Sequence, residues 1–297
     1  MKLSHIELGA TLFIPASFIS LNAIVNEQKY PELQSLVIDF EDGLSSVDLE
    51  FAVKNVEEVL SNIKRKTPLL FIRARSVKQL EVILAFEGIE YIRGFVLAKF
   101  SLLNATTYLE ILKDTNFLIM PSIEGCELFE QSKLLTLRDI LLTNKERVLL
   151  VRFGLEDMLR QLSIWRKCDE SIFDFASTSY VLGSFISIFK SSGFAISGGV
   201  YPCFKDEEGF KKDVLRDLKE GLFSKTIIHP SQISLAHEAY RVTQDELEKA
   251  QEIIKRHKEA VFSHKGEMAE ISTMIPYAKE ILQREEKYGI KGRYHKS

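Results

Sequence analysis

Acids and bases gather in this chain at the points where apolar runs end. The run SLVIDF passes straight into Asp39, Glu41 and Asp42; LLFIRA carries Arg73, with Arg75 next but one. GFVLAK ends on Lys99, FLIMPSI leads to Glu124, RVLLVRF is followed by Asp157, and TIIHP adds His229. Carboxylates crowded on separate strands repel one another unless a cation or a shared proton offsets them. Oxygen ligands with no cysteine pair nearby suit a hard ion, Mg²⁺ or Mn²⁺, held by one or two carboxylates and several waters. Glu124 and Asp157 are therefore the candidate metal ligands. Each has an ordinary alternative: Glu124 as the cap of a helix starting near Glu127, and Asp157 as a first-turn acid favoured by a helix dipole.

Arg73 lies inside an apolar strand, where an unpaired guanidinium is costly, so it either pairs with the acids of the second run or binds an anionic substrate, and both can hold at different stages. Arg75, two positions on, points to the same face and either shares that work or is solvated at a rim. Lys99 and His229 are candidates for substrate binding or for ordering loops. Asp42 precedes a glycine and has a turn-capping alternative.

These groups must be positioned by the elements that carry them. Eight short apolar runs recur: TLFIP (11–15), SLVIDF (35–40), LLFIRA (69–74), GFVLAK (94–99), FLIMPSI (117–123), RVLLVRF (147–153), FAISGGV (194–200) and TIIHP (226–230). They are continuous instead of alternating, as strands buried on both faces are. Helical periods lie between them, for example Ala52, Val53, Val56, Val59, Leu60 and Ile63 behind the cap candidates Ser45 and Ser46. No Gly-rich dinucleotide or P-loop signature follows any strand, so the pattern predicts a closed (β/α)₈ TIM barrel over residues 1–238. A helical extension should occupy 239–297. It opens on a capping box at Thr243 and Glu246, continues through a second helical stretch, FSHKGEMAEISTMIPYAKEILQREEKYG, and ends in a charged tail expected to fray.

The 297 residues, 45% hydrophobic and 27% charged, describe a globular chain with a sizeable core. A net charge of −3 provides no field for nucleic acid or anionic lipid, and no apolar run approaches the ~20 residues of a membrane span. With no signal-peptide core at its N-terminus, the protein is expected in the cytoplasm. Cys126, Cys168 and Cys203 are odd in number and widely spaced, so the expectation is three reduced, structural cysteines.

Taken in order, these segments resemble the citrate lyase β-subunit-like branch of the HpcH/HpaI aldolase superfamily. TLFIPAS is similar to that family's first strand, VIDFED to its D-L-E-D strand, FIRAR to its V-R-V-N strand and GFVLAK to its G-h-V-L-P-K strand. SIEG resembles its I-E-T segment, FGLEDM its F-G-x-x-D-[LM] segment, and SKTIIHPSQI its G-K-x-x-I-H-P-x-Q-I signature. The resemblance implies a Mg²⁺-dependent lyase or aldolase working through an enolate, assembled as a homotrimer or hexamer. Glu124 and Asp157 would bind the metal, and Arg73 would clamp the carboxylate of a keto acid, with Arg75 and Lys99 beside it. Glu41 and Asp42 would hold Arg73 and metal-bound waters, with Asp39 buried behind them. In KGEMAEISTMIP, Glu270 stands where the family has a lid aspartate that reaches a neighbouring subunit as acid or base. Gly9-Ala10 replaces basic residues that CoA-using members have, Arg75 replaces Asn, Ala98 replaces Pro, and Ser224 replaces Gly. FEDGL and FIRAR are similar to a divergent group of carbon-carbon lyases associated with tellurium-resistance and stress clusters. The substrate is thus expected to be a keto acid or a CoA thioester of a hydroxy acid. The alternatives are a CoA-independent aldolase for a hydroxy-keto acid and a degenerate barrel serving as a stress-operon binding protein.

Overall fold

Continuous apolar runs become parallel strands when helices cover their outer faces, because only then are both faces dry. The computed structural model describes residues 3–63, 67–256 and 260–292 and divides into two units, Met1–Ile233 and Ser234–Ser297. In the first, the strands are β1 (Thr11–Pro15), β2 (Ser35–Asp39), β3 (Leu69–Ala74), β4 (Gly94–Leu97), β5 (Leu118–Ile123), β6 (Arg152–Phe153) and β7 (Thr226–Ile227). All pair in parallel, in the order β6-β5-β4-β3-β2-β1-β7. The segment FAISGGV closes the ring through single bridges, Val151 to Ile196 and Ser197 to Phe223. Its backbone approaches too closely for longer side chains: a Cβ on Gly198 would lie 2.3 Å from an Asp217 carboxylate oxygen. The unit is a (β/α)₈ barrel.

Helices α1 (Leu21–Val25), α2 (Leu49–Ser61), α3 (Val77–Ile83), α4 (Ala105–Leu112), α5 (Gln131–Leu142), α6 (Leu155–Gln161), α7 (Ala176–Ser191) and α8 (Glu207–Lys219) alternate with these segments. Leu8, Val37, Phe71, Val96, Met120, Leu149 and Leu150 form one buried cluster contributed by successive strands. Above that layer the strands carry polar side chains: in register, Asp39 lies opposite Arg73, and Ser122 opposite Arg152. Ser45 and Ser46 do not cap α2. Its N-cap is Asp48, to which the Ser45 hydroxyl donates at 2.8 Å.

The expectation of three reduced cysteines is overturned, since Cys168 and Cys203 form a disulfide with Cα atoms 5.7 Å apart and only Cys126 is free. The spacing of 35 residues hides this proximity. Two loops are drawn together by Tyr201, whose hydroxyl lies 2.6 Å from the Cys168 carbonyl, and by Arg166, which donates to the Val200 carbonyl at 2.9 Å.

In the second unit α9 (Gln232–Tyr240) leads to α10 (Gln244–Lys255), started by the expected Thr243–Glu246 capping box. Helix α11 (Ile271–Tyr288) packs on it through Leu247, Ala250, Ile253, Ala278 and Ile281. The stretch read as wholly helical instead begins with a hairpin, β8 (Val261–His264) and β9 (Glu267–Glu270). Its two-residue turn has both φ positive, 48° at Lys265 and 88° at Gly266, the geometry that matches strand twist. The expected fraying is also corrected: the chain is helical to Tyr288, with Arg284 and Tyr288 buried, and 293–297 lie outside the described residues. Among the described residues no helix is long and apolar enough to cross a membrane.

On the outer side of β7, Lys225 is 1% exposed and lies between Asp213 and Asp217 of α8, 2.7 Å from the latter, while Arg166 stands 3.6 Å from Asp213. Burial pushes Asp217 up to about 6 against the pull of Lys225. Removing the lysine would strand two buried acids, and breaking a buried pair this way costs roughly 3–5 kcal/mol. Lys225→Met should lose that much unfolding free energy in urea, and adding Asp213→Leu and Asp217→Leu should restore most of it. A single-variant loss below ~1 kcal/mol would show that this cluster does not secure α8 to the barrel.

Candidate active site

Asp39 ends β2, Glu41 and Asp42 follow it, and one arginine from β3 contacts all three. Asp39 accepts two hydrogen bonds from Arg73, each 2.6 Å, in a bidentate pair across the strand register. The other guanidinium arm reaches Glu41 at 2.9 Å and Asp42 at 3.1 Å. Burial works against the Arg73 charge, but its bonds to Asp39 and the charges of Glu41 and Asp42 outweigh that and hold its pKa above the ordinary arginine value. Burial likewise pushes Asp39 and Glu41 upward, opposed by Arg73. These contacts meet the first of the two roles open to Arg73, pairing with the strand-two acids.

Glu124 follows β5 and is 4% exposed. One carboxylate oxygen accepts the Lys99 backbone N–H at 2.8 Å and the other accepts the Ser122 hydroxyl at 2.9 Å. Lys99 sits at φ 49°, a left-handed conformation that costs a non-glycine residue on the order of 1 kcal/mol. The N–H bond to Glu124 and an ion pair of its ammonium with Glu41 at 2.6 Å offset that cost. Gly154, at the start of α6, makes room: a Cβ there would lie 2.1 Å from the Glu124 Cβ. Asp157 follows on the first turn of α6 and is paired with Arg160. Burial first, then repulsion from Glu41 and more weakly from Asp157, pushes the Glu124 carboxyl up to about 7, against Arg73 and the Ser122 bond.

Glu124 and Asp157 line one cleft of about 410 Å³ together with Asp39, Asp42, Arg73, Ser122, Arg152 and Phe13. Arg152 was not singled out in the sequence. It is 4% exposed, donates to the Thr226 hydroxyl at 2.6 Å and stacks 4.7 Å from the Phe13 ring centroid. Its signal was the one that marked Arg73, a cation inside an apolar run. Arg75 lies outside the cleft lining and donates to the Leu44 carbonyl at 3.3 Å. His229 is also outside it, stacked 4.7 Å from Phe204. Glu270 is exposed at the N-terminus of α11 in the second unit. That unit has a more open hollow of about 550 Å³, whose charges pair among themselves, His264 with Glu252 at 2.8 Å and Lys265 with Glu248 at 3.3 Å.

Among the described residues no three His, Cys, Asp or Glu side chains converge to cage an ion. The cleft's donors are carboxylate and hydroxyl oxygens, two of the carboxylates come from separate βα units, and Glu124 is destabilised as an anion by burial and like charge. That set fits a hard divalent cation held by two carboxylates, with water or substrate completing its shell.

The family model described as "C-C_Bond_Lyase of the TIM-Barrel fold" matches residues 2–290. The chain belongs to this family of carbon-carbon bond lyases. Citrate lyase subunit beta of Escherichia coli strain K12 is 28% identical over 152 residues, 49% of this chain and 48% of that protein. A (3S)-malyl-CoA thioesterase of Cereibacter sphaeroides is 34% identical over 79 residues, 27% of this chain and 28% of that protein. The chain thus spans about half the length, or less, of the curated relatives it matches. In fold, this lyase-family member resembles CitE of Mycobacterium tuberculosis in complex with magnesium, acetoacetate and coenzyme A. The TM-score is 0.69 at 18% identity, covering 94% of this chain and 98% of that one. It also resembles a citrate lyase beta subunit from the same organism complexed with oxaloacetate and magnesium, with TM-score 0.59 and 16% identity over 80% of this chain and 99% of that one.

The raised Glu124 has a consequence for the family member's stability without divalent ions. A carboxyl at about 7 in the folded state, against an ordinary 4.5, stabilises the fold fully below about pH 4.5 and loses that contribution as pH rises through 7. Urea unfolding of wild type and Glu124→Gln should therefore show a difference that shifts by on the order of 3 kcal/mol between pH 4.5 and 8, against the wild type at high pH. A pH-independent difference would place the Glu124 pKa in the ordinary range.

Proposed function

We propose that the cleft is the active site of a divalent-cation-dependent lyase or aldolase. The enzyme would make or break a carbon-carbon bond in a keto acid, or in a hydroxy acid carried as its CoA thioester. The observation that carries the reading is that Glu124 and Asp157, from consecutive βα units, line one cleft with buried arginines. Relatives named for citrate lyase, and one crystallised with oxaloacetate and magnesium, support the same chemistry.

Mg²⁺ held by Glu124 and Asp157, or Mn²⁺ in its place, would supply Lewis-acid polarisation of the substrate carbonyl and offset the charge of the enolate. Ser122 and the Lys99 N–H fix the Glu124 oxygens, so the carboxylate is oriented before any ligand enters. Arg73, kept ionised by Asp39, Glu41 and Asp42, fixes those three acids at the edge of the cleft. Lys99, whose ammonium Glu41 draws above the ordinary lysine value, holds its proton at the rim beside the substrate. Phe13, Val96 and Ile228 wall the cleft with apolar surface and limit water. Glu270 acts in this reading as acid or base delivered to a neighbouring copy in a trimer or hexamer, as the resemblance implies.

A free hydroxy-keto acid is the second reading, favoured at the start of the barrel. His5 is the basic residue of the segment 3–10, and burial, with Lys190 nearby, pushes it down to about 4, so it presents no charge to CoA phosphates at neutral pH.

Glu124→Gln and Asp157→Asn should each lower kcat/KM at least ~100-fold with Mg²⁺, in cleavage and condensation assays over free hydroxy-keto acids and hydroxyacyl-CoA thioesters. Acceptance of free acids alone decides for the second reading. Full activity in both variants would falsify the metal assignment.

A further inference from the structure

A buried cation is ordinarily matched by a buried acid, and this cleft contains one that is not. Arg73 has three carboxylates within 3.1 Å. Arg152, as buried as Arg73 and beside the same Phe13 ring, forms no ion pair with any described residue. Its contacts are the Thr226 hydroxyl at 2.6 Å, the Met120 sulfur at 3.9 Å and the Phe13 ring. These position the guanidinium without neutralising it. Thr226 is itself held by a bond to the Gly198 carbonyl at 3.1 Å, so the arginine is braced from β7 and from below while the cleft lies above.

A fully desolvated charge with no counter-ion costs several kcal/mol, and an apolar residue of similar volume would fill the position at lower cost. Burial, and then repulsion by Arg73, push its pKa down to about 9, while Glu124 attracts it only in part. The arginine remains charged at neutral pH and is under-compensated. Breaches of local stability rules of this kind are found at functional sites.

Resting on the lyase reading of the cleft, we infer that Arg152 is the substrate's anion-binding residue. It would receive a carboxylate at the inner end of the cleft while Glu124 and Asp157 face the reacting carbonyl. The guanidinium presents its donors in a plane, and two parallel bonds to a planar carboxylate fit that geometry better than one bond to a hydroxyl or amide. Arg73 is already compensated by Asp39, Glu41 and Asp42, so Arg152 is the cleft arginine whose charge is left for a substrate anion. The ligand class is a small dicarboxylate or keto acid with its anionic group leading. A tetrahedral phosphate shares the charge but not the planar match.

The test is calorimetry on the full chain with four probes, Mg²⁺ alone and then oxalate, oxaloacetate and inorganic phosphate in the presence of Mg²⁺, using wild type, Arg152→Lys and Arg152→Met. The expected result is carboxylate binding weakened at least ~30-fold in Arg152→Met and partly kept in Arg152→Lys, with Mg²⁺ affinity unchanged or tighter in both. Thermal melts separate this from a structural role: Arg152→Met should melt at or above the wild-type temperature, since it removes an uncompensated charge. Equal carboxylate affinity in wild type and both variants overturns the inference, as does a carboxylate-blind wild type or phosphate binding tighter than oxalate. Should Arg152→Met fail to fold, the Arg152→Lys arm decides by the same affinities. Loss of Mg²⁺ binding in wild type would overturn the lyase reading separately, because Arg152 is not proposed to touch the metal.

Discussion

The structure depends on a single buried ion pair, Asp39 with Arg73, standing directly opposite each other on adjacent parallel strands. Neither charge can be left alone at that depth, so the pair ties the β2–β3 register to its own geometry: a slip of either strand by one residue would turn its charged side chain away and leave the other unpaired. The guanidinium still has donors after meeting Asp39, and it uses them to hold Glu41 and Asp42 against the rim. Glu41 in turn holds the Lys99 ammonium, and the Lys99 N–H holds Glu124. A chain of charge-assisted contacts thus runs from β2 across β3 and β4 to β5. The crowding of three acids at the end of one strand is the demand of one arginine.

Much of this was legible because buried parallel strands announce themselves as uninterrupted apolar runs, and a polar residue inside or just after one has few reasons to be there. Arg73 is such a residue, and its pairing with the acids of the second run is one of the two roles that position implies. Arg152 obeys the same rule but escaped notice, because RVLLVRF was read for where it ended and not for what it contained. The disulfide was beyond sequence reading in a different sense. Cys168 and Cys203 lie in loops whose approach is set by Tyr201 and Arg166, and nothing in a spacing of 35 residues records that. The hairpin of the second unit had a local signal, Lys265-Gly266, overridden by the apolar periodicity around it. Ser45 and Ser46 failed as caps for the simple reason that the helix starts later, at Leu49.

Glycines were legible only as absences of side chain, yet Gly154 decides the site. Gly154 lets the start of α6 come against Glu124, so that Asp157 arrives on the first turn beside it. An alanine at 154 would require backbone movement at the residue whose carboxylate must stay aimed. The spacing between Gly154 and Asp157 is therefore a packing requirement as well as a helical one.

The charges of the cleft show a further order. Glu124 is pushed up by burial and by other acids, and Arg152 is pushed down by burial and by another arginine, so the two poles are each destabilised in the ligand-free protein and do not cancel. A cation near Glu124 would relieve the first and an anion near Arg152 the second. Because the two groups feel each other across the cleft, the arrival of either ligand changes the field in which the other binds. A dication beside Glu124 leaves Arg152 less compensated and so raises its affinity for an anion, and linkage requires the converse to the same degree. A keto acid that presents a carbonyl to one pole and a carboxylate to the other satisfies both at once. On the proposed reading, that is why the barrel tolerates such strain in its interior.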